Sequence, residues 1–128
     1  MDEDAIMHIG VFLILAALLG ASGVILAAAG AHAAPGAGLE SAAHMLLFHA
    51  VAVLGGASLV QQGLLWRPAA FLALAAWIVG ASLFAGDIAL RAFVSHRLFP
   101  MAAPSGGSIM IVGWLALTAA AIGAALRG

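Results

Sequence analysis

Four strongly apolar stretches, none containing Asp, Glu, Lys or Arg, run from Ile9 to Ala31, Ser41 to Val60, Pro68 to Gly86 and Ala102 to Leu126. A hydrocarbon core of roughly 30 Å is crossed by about 20 helical residues at ~1.5 Å each. Each stretch meets that length, and together they occupy most of the chain. Only four basic and five acidic residues are present, too few to build a water-facing surface, so a soluble domain is excluded. The expectation is an all-α polytopic membrane protein, a bundle of four transmembrane helices making one domain over residues 1–128. The helices are expected at about 6–29, 41–61, 68–92 and 106–126.

The breaks between spans have their own chemistry. Pro35 with Gly30, Gly36 and Gly38 interrupts the first helix, and the second fades at Gln61-Gln62-Gly63. Trp66-Arg67-Pro68 joins an interfacial aromatic, a cation and a proline suited to a first helical turn. Phe93 to Phe99 is semi-polar and is expected along the interface, with Pro100 and Pro104 ending the third helix. The first span is read as an anchor rather than a secretory signal. Its flank, Asp2, Glu3 and Asp4, is acidic where a signal peptide is basic.

Four spans place both termini on one side. Arg67 and Arg127 then share the side of the termini, against Arg91 and Arg97 on the other. If Asp87 neutralises Arg91, the balance tips toward cytoplasmic termini. Cysteine is absent, which removes disulfides, thiolate metal sites and cysteine nucleophiles. A net charge of −1 offers no basic patch for nucleic acid. No phosphate-binding loop, H-E-x-x-H helix or nucleophile elbow is present, and no enzymatic activity is expected.

The ionisable residues are unevenly placed. His32, Glu40, His44, His49, Asp87 and Arg91 all fall on or beneath one membrane face and form the candidate polar cluster. His49 lies about 12 Å below the start of the second helix and Asp87 roughly 7 Å below the end of the third, so the two are within reach of each other. A group at such depth must face the bundle interior or a wet cavity and find a partner. Asp87 to Arg91 and Glu40 to His44 are i, i+4 pairs. The plain reading is structural polar contact between helices; the sharper one is proton handling or substrate contact at Asp87 and His49. Haem or zinc ligation is disfavoured. His44 and His49 are five residues apart and point in different directions, and His8 lies at the opposite face. No cofactor is expected.

Small residues recur at helical spacing, as in Ala16 to Gly20, Ala52 to Gly56, Ala76 to Gly80 and Ala116 to Ala120 to Ala124. Such spacing lets helix backbones approach closely in lipid. Gly20, Gly23 and Gly56 are expected at the contact between helices 1 and 2.

An ordered set of short motifs resembles a known family. It comprises Gly30-Ala31-His32, Phe48-His49-Ala50, Leu83-Phe84 with Gly86, and Pro104 with Gly106-Gly107 followed by Gly113-Trp114. The set is similar to the YgdD-like small membrane proteins, the domain of unknown function 423 family, which has eukaryotic mitochondrial relatives. The resemblance spans roughly residues 20–122. It implies a four-helix bacterial inner-membrane protein without established activity. Our own reading is a non-enzymatic structural or accessory membrane component, bound to a larger membrane complex or to copies of itself. Two positions depart from the family pattern. Met45-Leu46 stands where an aromatic and a Gln are frequent, and Asp87 where Ser is frequent, so a role for Asp87 would belong to a subgroup. The alternative from another class is a small oligomeric transporter or proton-linked channel. Small multidrug exporters are similar in size and span count, but their buried acid is on helix 1, where this chain has none.

Overall fold

The computed structural model describes residues 3–128, in the order α1 (Glu3–His32), α2 (Leu39–Gln61), α3 (Arg67–Val94) and α4 (Ala102–Arg127). Among the described residues all four helices are long and apolar enough to cross a membrane. Asp2, part of the acidic flank, lies outside them.

All four helices run past the expected bounds, α1 and α4 the furthest. α1 continues through Gly30 and His32, and past its end Ala33 and Ala34 both donate their N–H to the Ala29 carbonyl. Pro35 is the actual stop, because proline disfavours helical geometry in the residue before it. α4 starts at Ala102, four residues early, and contains Pro104, Gly106 and Gly107. Pro104 sits in the first turn, where backbone N–H groups have no intrahelical partner, so its missing donor costs nothing. It belongs to the beginning of α4 rather than to the end of α3.

The turns are closed by backbone chemistry. Leu64 donates to the Leu59 carbonyl and Gly63 to that of Val60, while Gly63 has φ 75°. This is the glycine-terminated helix end in which the Leu59 and Val60 carbonyls find donors beyond the helix. The α3–α4 connection instead uses two residues other than glycine in the left-handed region, Ser95 (φ 58°) and Met101 (φ 69°). Such conformations persist only where surrounding contacts hold them.

Neighbouring helices are antiparallel, as the register of their glycine contacts shows. Gly23 of α1 faces Leu46 and Leu47 of α2, while Gly30 faces Leu39. Gly80 of α3 meets Gly106 and Met110 of α4, while Gly113 meets Trp77. α2 and α3 are the inner pair, with α1 packed mainly on α2 and α4 on α3. Among the described residues α1 and α4 do not approach each other, so the bundle is open rather than a closed ring of four.

Apolar burial between helices drives little association in a bilayer, where lipid tails are equally apolar, so close packing has to hold this arrangement. The α3–α4 crossing shows how. A Cβ on Gly80 would lie 2.7 Å from the Gly106 carbonyl oxygen, and one on Gly106 would lie 2.6 Å from both the Gly80 oxygen and the Phe84 nitrogen. Only glycine at both positions permits that approach. Gly56 behaves otherwise than expected: it faces Leu74 and Trp77 of α3, not α1. Its position on α2 points away from Gly20 and Gly23, which do sit against α2 at Ala50 and Leu47.

Candidate functional site

Two polar side chains are buried in the apolar bundle, His49 at 5% exposure and Asp87 at 2%. They do not meet. Each is bound to different neighbours, and the expected contact between them is replaced by two separate ties.

His49 stands ten residues into α2, about 15 Å along the helix and therefore near mid-membrane. Its Nδ1 lies 2.8 Å from the Met45 carbonyl oxygen, one turn back, and the Trp114 indole Nε1–H donates to its Nε2 at 3.2 Å. One arrangement of protons satisfies both bonds: Nδ1–H donates to Met45, and Nε2 accepts from the indole. A proton on Nε2 would set a donor against a donor. Trp114 belongs to α4, so this bond spans two helices whose backbones stay apart.

Trp77 of α3 completes the arrangement. Its ring centroid lies 4.5 Å from that of Trp114, and the His49 ring meets both indoles edge-on at 6.0–6.2 Å. Trp77 is the largest fully buried side chain, and its room comes from α4, where a Cβ on Gly113 would lie 2.7 Å from the Trp77 Nε1. Adjacent residues of α4 thus do complementary things. Gly113 makes space for one indole and Trp114 sends the other to His49. The Trp77 N–H itself has no hydrogen-bond partner, which packing against the Gly113 backbone explains sterically.

Asp87 lies two turns before the end of α3. Its Oδ1 accepts the Leu98 backbone N–H at 3.0 Å, and its Oδ2 lies 3.4 Å from the Arg91 guanidinium. Segment 95–101 is therefore folded back on α3 and fastened there, with Leu98 against Gly86. The fastening accounts for the left-handed Ser95 and Met101, since the carboxylate fixes the chain between them. A charge-assisted bond to a backbone N–H is stronger than a neutral one, whereas the half-exposed Arg91 adds less.

The rest of the expected cluster is dispersed. His32 is exposed at the last turn of α1 rather than in a glycine-rich loop. Glu40 and His44 are exposed on α2, and the His44 ring stacks on Phe48 at 5.8 Å. Neither His49 nor Asp87 lines the concavities at the α1–α2 turn, between α1 and α3 over Leu46, or beside Arg91. Trp77 and Trp114 were not anticipated as partners of His49. A signal for them exists, because tryptophan in spans favours the interface and both stand near mid-helix.

The comparison with known proteins places the chain among membrane proteins. A family model described as a protein of unknown function (DUF423) matches residues 26–107, about two thirds of the chain and every residue of both ties except Trp114. The chain belongs to this family. It is also similar to a UPF0382 membrane protein of Haemophilus influenzae, at 30% identity over 71 residues. That match covers 56% of this chain and 55% of the relative, so the alignment spans about half of each. No solved structure matches. The protein is thus a four-helix membrane protein of a family without assigned activity.

Proposed function

We propose that the protein is a non-enzymatic structural or accessory component of a bacterial inner membrane, of the YgdD-like type with mitochondrial relatives, carried with its termini in the cytoplasm. The observation that supports this most is the internal engagement of both buried ionisable side chains, His49 and Asp87. Both oxygens of Asp87 and both ring nitrogens of His49 are engaged within the chain. A coupling carboxylate or proton relay needs an accessible partner that it can exchange, and it must face a path. Here the ionisable groups hold helices and a connection in place instead. The open arrangement leaves α1 and α4 with broad apolar faces, which suits a component that sits beside a larger membrane complex or other copies of itself.

The test is extraction in mild detergent followed by separation by size, together with reconstitution into vesicles. The accessory reading expects a partner or self-assembly of fixed stoichiometry and no solute or proton flux above that of empty vesicles. A saturable, pH-dependent flux, whatever the assembly state, would refute it and favour the small oligomeric transporter.

A further inference from the structure

We propose that the lateral groove between α1 and α3 binds one acyl chain of an anionic phospholipid, whose phosphate is met by Arg97 and His32 at the groove mouth. The groove has a volume of about 410 Å³, with Leu18, Ser22 and Ile25 on one wall and Ser82, Gly86 and Ala89 on the other. It opens sideways at a depth where the surroundings are hydrocarbon. Apart from Ser22 and Ser82 the lining is apolar, with Leu46 of α2 at its base, which suits a polymethylene chain.

The mouth carries a permanent cation on one wall, Arg97, and an imidazole able to hydrogen-bond on the other, His32. His32 stands on α1 two turns beyond Ile25 on the same helix face, and it is exposed. On the other wall Leu98 lies against Gly86 of the groove lining, so the chain next to it, with exposed His96 and Arg97, passes close to that end of the groove. Arg97 is the cation left over. Arg91 is paired with Asp87, Arg67 lies over Phe71 and Arg127 over Trp66, while among the described residues Arg97 has neither an acid nor a ring as partner. Phe93, Leu98, Phe99 and Met101 are exposed around it, an apolar fringe that keeps this segment at the level of the headgroups. A guanidinium held there, always charged and shaped for oxyanions, selects phosphate that carries net negative charge over a zwitterionic headgroup.

The experiment uses the full chain, stripped of lipid in detergent and titrated separately with phosphatidylglycerol and phosphatidylcholine. Retained lipid is counted by native mass spectrometry and thermal unfolding is followed alongside. One phosphatidylglycerol per chain should be retained, several-fold more firmly than phosphatidylcholine, with a higher Tm. Arg97→Gln should reduce phosphatidylglycerol to the level of phosphatidylcholine. Ser82→Phe and Ser22→Phe fill the groove from opposite walls at exposed positions, so each should lose both lipids while keeping its helix content. Equal retention of the two lipids by the unsubstituted protein, or unchanged retention in the groove-filling variants, overturns the proposal. So does a disulfide-linked dimer formed in membranes by Ser82→Cys in this cysteine-free chain, since a second copy would then occupy the groove.

Discussion

The Trp114 indole N–H and His49 Nε2, 3.2 Å apart, join two helices whose backbones never come close. The indole does what direct packing of α2 on α4 does elsewhere in helix bundles. Because Trp114 is 46% exposed, its outer face meets lipid while its N–H is turned inward. The bond and the shield over His49 are one side chain.

Removing the donor should therefore unpair a buried acceptor. Trp114→Phe is expected to lower stability by about 1–3 kcal/mol, since the Nε2 lone pair is left without a partner away from water. Adding His49→Phe should cost less than the sum of the two single changes, because the unpaired group leaves with it. A denaturation series in mixed micelles on the four proteins of this cycle measures the coupling. Strict additivity would mean that the bond contributes nothing.

The glycines divide by what stands opposite them. Gly80→Ala or Gly106→Ala puts a Cβ into backbone atoms that cannot yield, so the α3–α4 crossing must open, at about 1–3 kcal/mol or more. Gly56→Ala meets the far end of the Leu74 side chain, which can turn, and should be milder. Gly107, beside Gly106, has open space at its Cβ position. Gly107→Ala should be neutral or stabilising, by up to ~1 kcal/mol from helix propensity. Thermal unfolding of the four variants gives the order directly.

Four antiparallel spans require an even crossing number. Reporter fusions ahead of Glu3 and after Arg127 should read the same compartment, and a fusion within residues 33–38 should read the opposite one. Termini in different compartments would contradict the arrangement.

Much of the fold was legible because an uncharged run of 19 to 25 residues has few alternatives to a membrane span, whatever its neighbours do. Pro104 was misplaced because proline marks a helix start as well as a helix end, and only the backbone of the first turn distinguishes the two. His49 and Asp87 stood out by their rarity at depth, yet their partners did not. Asp87 binds a backbone N–H eleven residues on, and a backbone donor has no signature in residue type. The partner of His49 could have been sought among the mid-span tryptophans, since Trp114 carries a donor and stands at matching depth. Gly56 was assigned to the wrong neighbour because alanine and glycine are so common here that small-residue spacing selects no particular face.

The central claim is that the buried polar side chains are ties, and Asp87 tests it most directly. Asp87→Ala loses both the Leu98 bond and the counter-ion of Arg91, and should cost about 1–3 kcal/mol. Asp87→Asn keeps an oxygen for Leu98 and loses only the charge, so it should cost less. Arg91→Leu added to Asp87→Asn should recover part of that smaller loss, because no unpaired charge then remains at the membrane edge. Stability across these four proteins is the measurement, with proton flux in vesicles recorded on the same samples. The account predicts graded stability, partial recovery in the double variant and no flux in any of them. Unchanged stability in Asp87→Asn, combined with the loss of a pH-dependent flux that the unsubstituted protein shows, would contradict it.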